Sequence, residues 1–148
     1  MSILRIIQFS SVLCTSLALV PAMAHLLELP NKIRLPRDAY LTVQRIYRGW
    51  QLVGIVVVAA LASTLLLLLH ADGADFVPAS IGFFCVLATQ VVFWLITFPV
   101  NRRTRNWTAV ADDWIRLRNR WEYSHAASAM LNLGAVVNVI IAVLSEKP

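Results

Sequence analysis

The stretch LALVPAMAHLLELP, residues 17–30, decides whether three or four helices of this chain cross a membrane. It matches the end of a secretory signal peptide, because Ala22 and Ala24 form the A-x-A pattern of a cleavage site. It equally matches the end of an uncleaved membrane helix, which would carry His25 and Glu28 to a membrane surface. The rest of the sequence distinguishes the two interpretations.

The composition is that of a membrane protein. Hydrophobic residues make up 59% of the 148 residues and charged residues only 14%, whereas a soluble domain has about 25% charged residues. The length suits a single domain. The two cysteines, Cys14 and Cys85, lie in separate apolar segments and form no C-x-x-C motif, which argues against a thiol–disulfide enzyme.

Four segments are apolar enough to form spanning helices, each of which needs about 20 residues. We predict transmembrane helices over residues 3–29, 50–70, 80–100 and 123–144, in one membrane domain that covers residues 1–148. The predicted fold is therefore all-α, a polytopic bundle of four transmembrane helices. Pro21 lies inside the first segment, where proline is tolerated because neighbouring helices can satisfy the freed carbonyl.

The basic residues indicate the orientation. The first connection carries Lys32, Arg34, Arg37, Arg45 and Arg48, and the last carries Arg102, Arg103, Arg105, Arg116, Arg118 and Arg120. The loop ADGADF, residues 71–76, carries none. Because Lys and Arg collect in cytoplasmic loops, we expect both basic connections in the cytoplasm. Signal-peptide cleavage would invert every loop. We therefore predict an uncleaved first helix and an up-down bundle in the inner (plasma) membrane, with both termini outside the cytoplasm.

Both basic connections are expected to contain short amphipathic interfacial helices on the cytoplasmic side. The first is LPRDAYLTVQRIYRGW, residues 35–50. In the second, Trp107, Trp114 and Trp121 recur every seven residues, which predicts a helix over residues 105–122. Trp and Arg together suit the level of the lipid headgroups, so membrane lipids are the expected partner. No nucleic-acid-binding motif is present, and no nucleic-acid partner is expected.

Ionisable residues collect where the first spanning helix ends and the last begins. His25 and Glu28 are three residues apart, as are Glu122 and His125, so each pair shares a helix face. The predicted orientation places both pairs at the same level of the bundle. Ionisable residues in spanning helices are costly and commonly functional, so this polar layer is the candidate site.

Three interpretations of the polar layer stay open. His25, Glu28, Glu122 and His125 could bind a metal such as iron, manganese or zinc. His25 and His125 could instead be the axial ligands of a haem. In the third interpretation the layer holds no cofactor and forms a hydrogen-bond network or a pocket for a lipophilic molecule. A histidine there could take a proton from a phenol or carbon acid, and Arg118 could stabilise the anion.

Two stretches resemble a known family: AHLLELPNKIRLPRDAYLTVQRIYRGW, residues 24–50, and FPVNRRTRNWTAVADDWIRLRNRWEYSHAASAMLNL, residues 98–133. They are similar to the anthrone-oxygenase-like family of small four-helix integral membrane proteins, formerly a domain-of-unknown-function family. The most specific part is P-x-N followed by W-x-x-L/I-R-x-R-W-x-x-x-H. It falls on Pro99, Asn101, Trp114, Leu117, Arg118, Arg120, Trp121 and His125.

The resemblance implies an oxygenase or oxidoreductase, since some fungal members oxidise anthrones to anthraquinones. It makes Asn101, Arg118 and His125 the candidate catalytic residues. The expected function is oxidation of a lipophilic aromatic or quinone-like substrate in a pocket at the cytoplasmic side of the bundle. The alternative is a non-enzymatic accessory or structural subunit that packs against a larger membrane complex, or a homo-oligomer. The sequence leaves the substrate, the electron acceptor and any cofactor open.

Overall fold

The computed structural model describes residues 2–109 and 111–145, and these residues form helices and turns without any strand. The helices are α1 (Ile3–Lys32), α2 (Arg37–Gln44), α3 (Val53–His70), α4 (Phe76–Val92), α5 (Phe98–Thr104) and α6 (Trp114–Ser145). Two 3₁₀ turns, Arg45–Tyr47 and Trp50–Leu52, connect α2 to α3. A π-helical turn, Phe93–Thr97, joins α4 and α5 into one continuous helical unit.

Four helical units are long and apolar enough to cross a membrane. They are Ile3–Lys32, Trp50–His70, Phe76–Thr104 and Trp114–Ser145. Large apolar side chains cover their outer faces; Leu27, Ile55 and Leu144, for example, are 71%, 69% and 78% exposed. Soluble monomers rarely expose such continuous apolar surfaces. The chain is therefore a multi-pass membrane protein, and the prediction of an all-α bundle with four spanning helices is confirmed.

The first spanning helix is longer than predicted. α1 passes through both Pro21 and Pro30 and ends at Lys32, three residues beyond the predicted end at residue 29. Lys32 therefore belongs to the helix and not to the connection, and it lies on the same face as His25, seven residues earlier. This extension brings a cation into the polar layer.

The predicted interfacial helix over residues 105–122 is not a separate element. Residues 105–109 form turns, and α6 runs without interruption from Trp114 to Ser145. Arg105, Asn106 and Trp107 have φ angles of 48°, 53° and 63°, a left-handed backbone that ends a right-handed helix. Residue 110 of the predicted helix lies outside the described residues, as do residues 1 and 146–148 of the predicted domain.

The tryptophans of the seven-residue pattern pack inside the protein, Trp107 and Trp121 buried and Trp114 partly buried. Trp107 and Trp121 are only 7% and 5% exposed. They pack with Tyr40 of α2, Val100 of α5 and Leu117 of α6 in one apolar cluster. The short helix predicted in the first connection does exist as α2, and it folds over this cluster.

Small side chains line the contacts between the spanning helices. Ala60, Ala129 and Ala135 are completely buried, and a methyl group on Gly82 of α4 would lie 2.9 Å from Cγ2 of Val139 in α6. Small residues of this kind allow membrane helices to approach closely. Buried hydroxyls bond to carbonyls of their own helices, as at Ser11, Thr15, Thr64, Thr89 and Thr104.

One end of the bundle carries the two basic connections, residues 33–49 and 105–113, and we call it the basic end. Here α1 and α5 finish while α3 and α6 begin. At this end, the hydroxyl of Thr97 in the π-helical turn lies 2.8 Å from that of Ser124 in α6. The Trp121 indole of α6 donates to Asn101 of α5 at 2.8 Å. These bonds fix the first turns of α6 against the neighbouring helices, with the polar layer beside them.

Candidate functional site

The polar layer lies where the last turns of α1 meet the first turns of α6. His25 and Lys32 of α1 are 6% and 3% exposed, and Glu122 of α6 is 1% exposed. Burying charged groups in a membrane protein is costly unless they are paired. Each of these buried groups is therefore expected to have a partner of opposite charge or a hydrogen-bond partner.

The ammonium group of Lys32 is the centre of the site. Its Nζ lies 3.2 Å from Oε1 of Glu122 and 3.5 Å from Oε2 of Glu28. It donates to the hydroxyl oxygen of Tyr47 at 2.8 Å and lies 3.5 Å from Nδ1 of His25. An ammonium group has only donors, so Nδ1 of His25 is the acceptor in this contact.

Two tyrosine hydroxyls extend the network from the first connection. Tyr40 of α2 donates to Oε1 of Glu122 at 3.0 Å, and Tyr47 of the 3₁₀ turn donates to Oε2 of Glu28. Burial first, and the neighbouring carboxylates second, raise the pKa of both phenols above the ordinary value. Both phenols are therefore protonated at neutral pH and act as hydrogen-bond donors.

His25 and His125 stack directly on each other. Their ring centroids are 4.2 Å apart, with 26° between the planes. Trp121 meets both rings edge-on, at 5.0 Å from His25 and 4.2 Å from His125. Tyr47 and Trp50 complete the enclosure of His25, at 4.5 and 5.7 Å. The histidine pair is thus held in an aromatic environment with Lys32 on one side.

Several buried polar atoms of this region have no hydrogen-bond partner among the described residues. They are Nε2 of His125, Oε2 of Glu122, Nε of Arg118 and Nε2 of Gln44. A buried polar atom without a partner is costly and is a reason to consider a functional role. Nε2 of His125 belongs to the stacked pair and Oε2 of Glu122 to the carboxylate that contacts Lys32, so the site retains bonding capacity.

Arg118 and Asn101 have partners away from the histidines. Arg118 donates from Nη1 to the carbonyl of Leu35 at 2.9 Å, and its guanidinium lies over the rings of Tyr40 and Trp114. Asn101 accepts from the Trp121 indole. Both contacts hold the basic end together. The cation beside the histidines is Lys32, and the catalytic assignment of Arg118 and Asn101 stays a prediction.

The four predicted metal ligands do gather at the layer, but Lys32 lies among them. Its ammonium contacts three of the four, His25, Glu28 and Glu122. In the described part of the chain, no group of three or more His, Cys, Asp and Glu side chains is arranged to hold a metal ion. A metal there would repel the ammonium, so these residues do not fit a metal site.

The histidine pair does not fit a haem either. Axial ligands approach the iron from opposite faces of the porphyrin ring. The rings of His25 and His125 are stacked at a centroid distance of 4.2 Å, which leaves no space for a macrocycle between them. The arrangement suits chemistry done by the side chains themselves.

An open apolar groove lies on the surface of the bundle, beside the Trp50 ring that contacts His25. It has a volume of about 390 Å³ and lies between α1 and the start of α3. Its lining is Leu17, Val20, Pro21, Ala24, Gly49, Trp50, Val53 and Val56. Trp50 is shared between the groove and the enclosure of His25. The volume is within the range of small-molecule sites, about 300–1,000 Å³.

Sequence reasoning missed Lys32, Tyr40 and Tyr47. The predicted helix end at residue 29 places Lys32 among the loop charges, although its spacing of four from Glu28 and seven from His25 places all three on one helical face. The two tyrosines were counted only as parts of an amphipathic stretch. Their hydroxyl contacts with Glu28 and Glu122 depend on how the connection folds back over the bundle.

In comparisons with protein-family models, with curated proteins and with solved structures, the chain matches none. The resemblance to anthrone-oxygenase-like proteins therefore stays a prediction, and the function has to be argued from the site.

Proposed function

We propose that this protein oxidises a lipophilic hydroxyaromatic or quinone-like molecule that enters from the bilayer. One observation carries the proposal. A stacked histidine pair with an unpartnered ring nitrogen lies beside a buried ammonium group, next to a groove on the membrane-facing surface. The histidine can act as a base, the ammonium group can stabilise an anion, and the apolar groove beside them can bind a lipophilic molecule.

The groove favours a lipophilic substrate. Its lining is aliphatic apart from Trp50, whose ring suits contact with a planar aromatic molecule. Pro21 also lines the groove and has no amide hydrogen, so the carbonyl of Leu17 lacks its usual helical donor. A substrate hydroxyl could donate to this carbonyl. An aromatic molecule with a hydroxyl group thus matches both properties of the groove.

The side chains suit base-promoted oxidation by dioxygen. The unpartnered Nε2 of His125 takes a proton from an acidic C–H of the substrate, and the positive charge of Lys32 stabilises the anion. The anion gives two electrons to dioxygen and forms a C–O bond, and the resulting hydroperoxide loses water. A CH₂ group thus becomes a carbonyl, with one oxygen atom retained and the other released as water.

In the proposed orientation, the basic end faces the cytoplasm and both termini lie outside it. The basic connections support this, because Lys and Arg collect on the cytoplasmic side. The site then lies at the cytoplasmic surface of the inner membrane. An uncleaved first helix is part of the proposal, because α1 supplies His25, Glu28 and Lys32.

The test is turnover of a hydroxylated anthrone by the detergent-purified protein, followed by quinone absorbance and oxygen uptake. We expect His125→Gln to lower the protein-dependent rate by about 100-fold or more, since a positioned base contributes about 10²–10⁴-fold. His70→Gln is the matched control, because His70 is the exposed last residue of α3, at the other end of the bundle.

Equal rates in wild type and His125→Gln would contradict the proposed chemistry. An inactive wild type that co-purifies with a larger membrane protein at constant ratio would instead support the accessory-subunit function.

A further inference from the structure

We propose that Lys32, Tyr47 and Glu28 form a proton relay that connects His25 of the buried histidine pair to water at the basic end. The inference deepens the proposed function, because a proton left on His25, whose ring centroid is 4.2 Å from that of His125, would oppose the proton transfer to His125 and has to leave before the next turnover. Proton transfer along the relay does not require a substrate, so it can be measured in the protein alone.

The contacts along the proposed relay are continuous. Nδ1 of His25 lies 3.5 Å from Nζ of Lys32, and Nζ lies 2.8 Å from the hydroxyl oxygen of Tyr47. The Tyr47 hydroxyl in turn bonds to Oε2 of Glu28. Chains of ionisable side chains in membrane proteins commonly serve as proton pathways.

The hydrogen bonds also point in one direction. Lys32 donates to Tyr47, and Tyr47 donates to Glu28. A proton can therefore move outwards without a prior rearrangement of the phenol. Its hydroxyl accepts one hydrogen and passes on the other in the same step, and the raised pKa of Tyr47 keeps that hydroxyl protonated between transfers.

The two ends of the relay differ in their access to water. The side chain of Glu28 is 39% exposed, whereas that of Lys32 is only 4% exposed. His25 is buried, and its ring stacks on His125. A proton released by the pair thus has a covered path inside the protein and an acceptor that reaches the surface.

The polar groups that surround Lys32 come from four elements. From α1 it faces His25 and Glu28, from the 3₁₀ turn it faces Tyr47, and from α6 it faces Glu122. The Tyr40 hydroxyl of α2 bonds to the same Glu122 oxygen. Lys32 is thus enclosed by side chains that can donate or accept protons.

The transfer balances as two hops. Lys32 gives a proton to the Tyr47 oxygen while the Tyr47 hydroxyl gives its own to Glu28, so one N–H and one O–H bond break and two O–H bonds form. The neutral Lys32 amine then takes the proton from Nδ1 of a charged His25. Glu28 finally releases its proton to water, and the Tyr47 hydroxyl turns back towards Glu28, so that every group in the relay regains its starting state.

Tyr40 provides a matched control within the same network. Its hydroxyl is buried and bonds to Glu122, as that of Tyr47 bonds to Glu28, but Tyr40 is 0% exposed and its hydroxyl leads to no surface group. Removing either hydroxyl costs one bond to a carboxylate, and removing that of Tyr47 also costs the bond it accepts from Lys32. Of the two hydroxyls, only that of Tyr47 contacts both Lys32 and Glu28; the direct contact from Lys32 to Glu28 is longer, at 3.5 Å.

The experiment measures exchange of the histidine ring hydrogens with water, by NMR of the full-length protein in detergent with ¹⁵N-labelled histidine. The chain has only three histidines, and the exposed His70 is an internal reference. We expect Tyr47→Phe and Glu28→Gln to slow exchange at His25 by roughly tenfold or more, because positioned proton donors and acceptors contribute about 10²–10⁴-fold. We expect Tyr40→Phe to leave it within about twofold.

Unchanged exchange at His25 in both Tyr47→Phe and Glu28→Gln would overturn the relay, as would equal slowing by Tyr40→Phe. If Tyr47→Phe does not fold, Glu28→Gln decides alone, since it changes one atom on a partly exposed side chain. The oxidation assay is separate from this one. A protein with an intact relay and no oxidase activity would refute the proposed reaction and leave the relay standing.

Discussion

The buried pair of Lys32 and Glu122 makes a specific prediction about stability. Both side chains are almost completely buried, at 4% and 0% exposed, so solvent does not screen their contact at 3.2 Å. Lys32→Met keeps the unbranched stem but leaves the Glu122 carboxylate with only the Tyr40 hydroxyl. Breaking a buried pair in this way costs about 3–5 kcal/mol, so we expect the free energy of unfolding to fall by that amount.

The reciprocal change is expected to be much milder. In Glu122→Gln, the amide oxygen can still accept from Lys32 and Tyr40, and Lys32 keeps its contacts with Glu28 and Tyr47. The cost is the difference between a charged and a neutral hydrogen bond, about 1 kcal/mol. The double variant, Lys32→Met with Glu122→Gln, has no uncompensated buried charge at residue 122, so we expect its free energy of unfolding to fall by only about 1–2 kcal/mol. The coupling between the two sites is then about 3 kcal/mol.

The assay is unfolding in mixed micelles with increasing sodium dodecyl sulfate, followed by far-ultraviolet circular dichroism. Arg34→Met is the control, because Arg34 is an exposed basic residue just beyond α1 and such surface changes stay within about 0.5 kcal/mol. Equal costs for Lys32→Met and Glu122→Gln, or additive costs in the double variant, would refute the argument that Lys32 compensates a buried carboxylate.

Three further predictions concern the rest of the fold. Gly82→Ala is expected to destabilise the protein by about 1–3 kcal/mol, because the new methyl group would meet Val139 at 2.9 Å. Gly54→Ala is the control in the same unfolding assay. It is expected to be neutral or slightly stabilising, because its new methyl group would meet nothing within 4 Å. Arg105→Gly is expected to raise stability by about 1 kcal/mol, since the φ of 48° suits glycine; an unchanged or lower stability would count against strain at this turn. The intact mass of the purified protein is expected to include residues 17–30, and a chain that starts at His25 would contradict the proposed four-helix topology.

The spanning helices could be predicted because burial in a bilayer depends mainly on local composition. A run of about 20 apolar residues is enough to span the bilayer, wherever the neighbouring helices lie. The first helix could be included because only an uncleaved first helix would place both basic loops on the cytoplasmic side of the membrane. The helix ends were harder to predict. The apolar segment predicted an end at residue 29, yet α1 continues to Lys32, because its last turn packs against α6 and the folded-back first connection.

The candidate site was predicted in part. The spacing of His25, Glu28, Glu122 and His125 identified the two helix faces, and the structure brings both histidines into contact. The role of Lys32 could not be read in the same way, since a lysine near a membrane surface usually stays solvated. Its burial depends on Glu122, 90 residues later in the chain, and periodicity carries no information about such long-range contacts.

Oxygen-isotope labelling tests the central claim most directly. A hydroxylated anthrone is incubated with the wild-type protein under ¹⁸O₂, and the quinone is analysed by mass spectrometry against a His125→Gln blank. The proposed chemistry predicts that each quinone formed by the wild-type protein carries one ¹⁸O atom at the new carbonyl, and that the blank shows only the uncatalysed background. Label that comes from H₂¹⁸O instead, or label that forms equally fast in the blank, would contradict it.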